Sequence, residues 1–141
     1  MLRPHRWWLP AALALITAAA PASDRHAPLR PVSDCLDPDR ARGWVMVSSD
    51  ELLVDAGRRH YRIMLSYACP ELGTSTALAF EAGAVSRVCG DIGESVRPLD
   101  RLRGARACDI ARVERIEADE YRERSAGGSV SGRIGRGSNG G

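Results

Sequence analysis

Four cysteines constrain this chain more than any other feature: Cys35, Cys69, Cys89 and Cys108. Each stands alone, about 20 or more residues from the next. A structural zinc site usually shows paired short spacings such as C-x-x-C, and none occurs here. An even set of isolated cysteines behind an export signal reads as two disulfides, which also leaves no cysteine over as a catalytic thiol. Four cysteines allow three pairings, and the sequence does not choose among them. The favoured pairing is Cys69–Cys89 with Cys35–Cys108. The first would close a local loop between neighbouring strands, and the second would tie the start of the domain to its last strand. No metal and no cofactor are expected.

The N-terminus supplies the export signal. Arg3, His5 and Arg6 form a short positive start, followed by an apolar run over Trp7–Ala20 broken only by Pro10 and Thr17. The run falls short of the roughly 20 apolar residues a bilayer-spanning helix needs. A small-x-small site at Ala20-Pro21-Ala22 predicts cleavage after Ala22, so residues 1–22 read as a signal peptide and the mature chain is periplasmic or secreted, without a transmembrane segment. Residues 23–34, rich in proline and polar groups, read as a flexible leader. The other end, residues 125–141, is mostly Gly, Ser and Arg without apolar periodicity and is predicted to be disordered.

Between these ends lies a domain predicted over residues 35–116, roughly 80 residues, a size at which one core alone is barely sufficient. Its pattern is β. Trp44–Val47 and Glu51–Asp55 are short apolar runs, and Ala56-Gly57-Arg58-Arg59 reads as a turn. His60–Tyr67 alternates with period two, placing Tyr61, Ile63, Leu65 and Tyr67 on one face. Further strands are predicted at Thr76–Glu81, Val85–Cys89, Ser95–Arg97 and Cys108–Val113. Residues 117–124 have the make-up of a short helix. The expected fold is all-β: a small antiparallel barrel or meander of five to six short strands, OB-like or SH3-like, stapled by two disulfides.

Several of these segments occur in a familiar order. Cys35 precedes a strand carrying Trp44. Asp50-Glu51-Leu52-Leu53-Val54 then pairs with Tyr61-Arg62-Ile63. Ser66-Tyr67-Ala68-Cys69-Pro70-Glu71-Leu72, Arg87-Val88-Cys89-Gly90-Asp91 and Cys108-Asp109-Ile110 follow, with Ile116 close behind. Over about Cys35–Ile116 this order resembles a family of small exported proteobacterial proteins known as domain of unknown function 6491. The resemblance implies export, a compact β-rich domain and paired cysteines. It carries over no catalytic residue.

Charge narrows the function classes. All 20 basic residues are arginine, and removal of Arg3 and Arg6 with the signal leaves 18 arginines against 18 acids. A near-neutral mature chain lacks the general electrostatic footprint of a nucleic-acid binder. Arg97, Arg101, Arg103 and Arg106 nevertheless cluster within ten residues, and guanidinium forks bind phosphate and carboxylate bidentately. They are the candidate anion-binding residues, weighed against a solvated, salt-bridged loop shared with Asp100 and Asp109. Asp91 with Glu94, and the cluster Asp34, Asp37 and Asp39, suit turns better than acid–base or calcium chemistry. His60 has no nucleophile elbow to pair with. Trp44 and Tyr61 read as core residues. The chain therefore reads as a non-enzymatic binding or interaction module, with an envelope protein or an anionic surface as its partner. One alternative is an enzyme inhibitor or immunity-type protein presenting the Cys69–Leu78 loop. The other is an anion- or head-group-binding module using the Arg97–Arg106 loop.

Overall fold

The computed structural model describes residues 31–83, 85–100 and 106–135. Seven strands form a closed barrel: β1 (Gly43–Ser48), β2 (Glu51–Asp55), β3 (His60–Leu65), β4 (Ala77–Glu81), β5 (Ser95–Pro98), β6 (Cys108–Ile116) and β7 (Val130–Ile134). One helix, α1 (Ala118–Ala126), covers the predicted helical segment. Around the barrel the order is β1-β2-β3-β6-β5-β4-β7, and β7 returns to β1. Neighbours run antiparallel except β4 and β7, which are parallel. The predicted signal, residues 1–22, and most of the leader lie outside the described residues.

Strand periodicity builds the core. Tyr61, Ile63 and Leu65 of β3 point inward, where they meet Trp44 and Met46 of β1 and Leu52 and Val54 of β2. Leu53 faces the other way and is also fully buried. The same outer face carries Glu51 and His60, which hold α1: Arg124 pairs with Glu51, and Tyr121 stacks on His60 with ring centroids 4.4 Å apart. In β6 the inward sequence Cys108, Ile110, Val113 slips by one residue at a bulge opposite Met64 and Leu65. Gly90 crosses that bulge with φ +91°; a Cβ there would lie 2.9 Å from the Arg112 Cα.

Several expectations are corrected. There are seven strands rather than five or six, and one pairing is parallel. Val85–Cys89 is not a strand: only Val88 pairs, in an isolated bridge to Leu36. The segment 125–141, predicted to be disordered, contains the strand that closes the barrel, so the domain runs past residue 116. Gly132 makes this closure possible, because a Cβ there would sit 2.8 Å from the Trp44 indole nitrogen and inside contact distance of the Thr76 carbonyl. That indole N–H donates to the Arg133 carbonyl at 3.1 Å.

The disulfides also pair differently. They are Cys35–Cys89 and Cys69–Cys108, not Cys69–Cys89 and Cys35–Cys108. The Leu36–Val88 bridge exchanges two backbone hydrogen bonds, of 2.8 and 2.9 Å, and brings the Cα atoms of the adjacent Cys35 and Cys89 to 4.5 Å. The Cys69 N–H donates to the Ser49 carbonyl at 2.7 Å, and Cys69 lies with its Cα 6.3 Å from that of Cys108 at the start of β6. Both separations fall within disulfide reach. Sequence separations of 54 and 39 residues make each bond worth about 4 kcal/mol in lost chain entropy of the unfolded state.

Candidate functional site

A cleft lies where the β2–β3 turn meets the chain segment that leads into β1. The turn is shaped by Asp55, whose carboxylate accepts the Gly57 N–H at 2.8 Å, and by the Ala56 N–H, which donates to the Arg59 carbonyl at 2.9 Å. Gly57 adopts φ +79°. Arg58 and Arg59, both exposed, extend from this turn.

The facing wall is the segment before β1. Pro38–Arg40 forms a single 3-10 turn, N-capped by Asp37, which accepts the Asp39 N–H at 3.1 Å. The Arg42 N–H donates to the Asp55 carbonyl at 2.8 Å, fixing Arg42 beside the β2–β3 turn. Its guanidinium packs so close that a Cβ on Gly57 would come within 3.4 Å of the Arg42 Cζ. Arg87, beside the Val88 bridge, reaches Asp37 at 2.8 Å, and Arg40 reaches the same carboxylate oxygen at 3.4 Å. Arg59 donates to the Ser33 carbonyl at 2.8 Å.

The result is a cleft of about 860 Å³ with Tyr61 on its lining. Five arginines border it, Arg40, Arg42, Arg58, Arg59 and Arg87, against two acids, Asp37 and Asp39. Asp37 serves as counterion to Arg40 and Arg87. Among the described residues no carboxylate lies within ion-pair distance of Arg42, Arg58 or Arg59. Positive charge thus exceeds negative charge on the cleft lining, and arginines from three separate segments border one space.

The site residues expected from sequence do not assemble in this way. Arg97 lies on β5 and pairs with Glu81 at 2.9 Å. Arg106 is exposed, and Arg101 and Arg103 lie outside the described residues. Asp100 is engaged in structure: its carboxylate accepts the Ser75 hydroxyl and the Thr76 N–H and hydroxyl. These bonds, the Ser75 hydroxyl foremost, hold its pKa at about 2.

The acidic pairs have structural work to do. Asp91 is exposed, whereas Glu94 is 1% exposed and accepts three backbone N–H groups, from Cys89, Gly90 and Asp91, at 2.6 to 3.0 Å. It staples the loop that follows Cys89. His60 stacks on Tyr121 and lies 3.6 Å from Asp55 on the outer face, away from the cleft's arginines. All four cysteines are disulfide-bonded. The Cys69–Leu78 segment folds into a 3-10 turn, Pro70–Thr74, with Leu72 buried beneath it.

A sequence model of the family of unknown function DUF6491 matches residues 4–127, most of the chain. The chain belongs to that family. No curated protein and no solved structure matches it. The match extends well beyond the Cys35–Ile116 core on both sides and takes in α1, which makes the helix packed on β1 and β3 part of the DUF6491 region. In this member of DUF6491 the cleft arginines also fall inside the matched span, as do all four cysteines.

Proposed function

We propose that this protein is an exported, non-enzymatic binding module whose cleft holds a small anion carrying two or more negative charges on phosphate or carboxylate groups. The observation that carries this reading is the convergence of five arginines from three chain segments on one cleft, three of them without a carboxylate partner. The volume suits a small ligand. The cleft walls are backbone turns fixed by hydrogen bonds and by a disulfide, so little ordering cost is left for binding. Export is supported by the N-terminal apolar run after a positive start and by the pairing of every cysteine. No helix among the described residues is long and apolar enough to cross a membrane.

Calorimetric titration with inorganic pyrophosphate tests the reading. Binding is expected at low salt and weakens as ionic strength rises. Arg42→Ala and Arg58→Ala should each weaken it about tenfold, the loss of one charge-assisted contact. Arg97→Ala should leave it unchanged. Absence of binding at low salt, or a larger loss from Arg97→Ala than from Arg42→Ala, overturns the proposal.

A further inference from the structure

The two disulfides sit in different surroundings. Cys69 and Cys108, 2% and 0% exposed, belong to the hydrophobic core. Cys35 and Cys89 join two segments that lie outside the barrel strands; Cys35 is 2% exposed, like Cys69, but Cys89 is only half-buried. Both line a groove of about 430 Å³ whose other walls include Val32, Val85, Asp91 and Arg112. The segments they join are also cleft walls: Ser33, Asp37, Asp39 and Arg40 on one side of the bond and Arg87 on the other. Apart from the disulfide, the two walls are held together by the Leu36–Val88 bridge and the Arg87–Asp37 ion pair.

We propose that Cys35–Cys89 is a reducible clamp on the arginine cleft, opened by an external dithiol that enters through this groove. One thiolate of the dithiol attacks the half-buried Cys89 Sγ. A mixed disulfide forms there, the Cys35–Cys89 bond breaks, and Cys35 leaves as a thiolate that takes up a proton. The second thiol of the dithiol then displaces Cys89. The protein disulfide is reduced to two thiols and the dithiol is oxidised to its own disulfide. Leu36 and Val88 stay plugged in the core, fully buried, so the barrel keeps its shape while the wall bearing Arg40 and Arg87 loosens. This control rests on the anion-binding reading of the cleft for its consequence, but not for its chemistry.

The test uses the oxidised full chain, titrated with dithiothreitol, trapped with iodoacetamide and mapped by peptide mass. Cys35 and Cys89 should be alkylated at a dithiothreitol concentration at least ten times lower than Cys69 and Cys108 require. In that half-reduced state the amides of Arg40 and Ala41, bonded within the wall turn, should exchange at least tenfold faster with deuterium, while β1–β3 keep their protection. Pyrophosphate affinity should fall about tenfold. The Cys35→Ser/Cys89→Ser double variant should reproduce both effects without reductant. Opening of Cys69–Cys108 first or simultaneously, or unchanged exchange in the wall after selective reduction, overturns the clamp. If neither form binds pyrophosphate, the anion reading fails, while alkylation and exchange still decide the clamp on their own.

Discussion

Asp100 shows how much a single side chain does on this surface. Its carboxylate takes hydrogen bonds from Ser75 and Thr76 and so pins the chain leaving β5 to the start of β4. Its pKa, about 2 against an ordinary 3.8, sets the direction of the pH effect. A carboxyl held below its unfolded value adds stability above about pH 3.8, and that increment is lost as pH falls towards about 2. Asp100→Asn should therefore be less stable than the parent at pH 7, with the difference shrinking between about pH 4 and pH 2. Urea melts at several pH values measure this, and a difference independent of pH would contradict it. None of this was legible in the sequence, where Asp100 reads as one acid beside an arginine run. Its hydrogen-bond partners lie 24 and 25 residues away, on a turn whose position only the closed barrel sets. The same holds for Glu94, which reads as half of a carboxylate pair but whose Oε2 is taken up by three backbone N–H groups.

Elements were legible where their pattern is local. The alternation of His60–Leu65 and the apolar run of Leu52-Leu53-Val54 correspond to β3 and β2, because inward and outward positions repeat along the strand itself. β7 is different. Val130-Ser131-Gly132-Arg133-Ile134 carries weak alternation within a Gly/Ser-rich stretch, and its glycine is required by a contact with Trp44, 88 residues earlier, rather than by any turn of its own. Without β7 the unpaired edges of β1 and β4 would face each other across an open barrel. A chain ending at Gly128 should therefore be destabilised by about 2 kcal/mol or more and self-associate, since it loses a strand and uncovers two edges. Urea unfolding followed by Trp44 fluorescence, with light scattering, reads both effects; a monomer of undiminished stability would contradict the closure. The error at Val85–Cys89 and the error in cysteine pairing share a cause. By its local pattern Val88 reads as part of a strand, whereas it forms one bridge to Leu36, and that bridge is what brings Cys35 to Cys89.

At the scale of the whole molecule, three arginines that have no carboxylate partner among the described residues gather on one cleft. That distribution was hidden in the sequence, because arginine is the only base in the chain and Arg40, Arg42, Arg58, Arg59 and Arg87 come from three separate segments. The run Arg97–Arg106 is the more conspicuous cluster along the chain, but Arg97, on β5, is paired with Glu81. Cysteine number and spacing, by contrast, announced two disulfides, and family membership fits that reading without assigning an activity. The central claim is that the arginine cleft is where an anion binds. Nuclear magnetic resonance of the uniformly labelled chain from Ser23 onward tests it most directly, following backbone amides and arginine side-chain N–H groups during titration with pyrophosphate. The account predicts saturable shifts at Arg42, Gly57, Arg58, Arg59 and Arg87, with the amides of β5 and β6 unmoved. Shifts confined to Arg97 and Arg106, or none at saturating pyrophosphate, would contradict it.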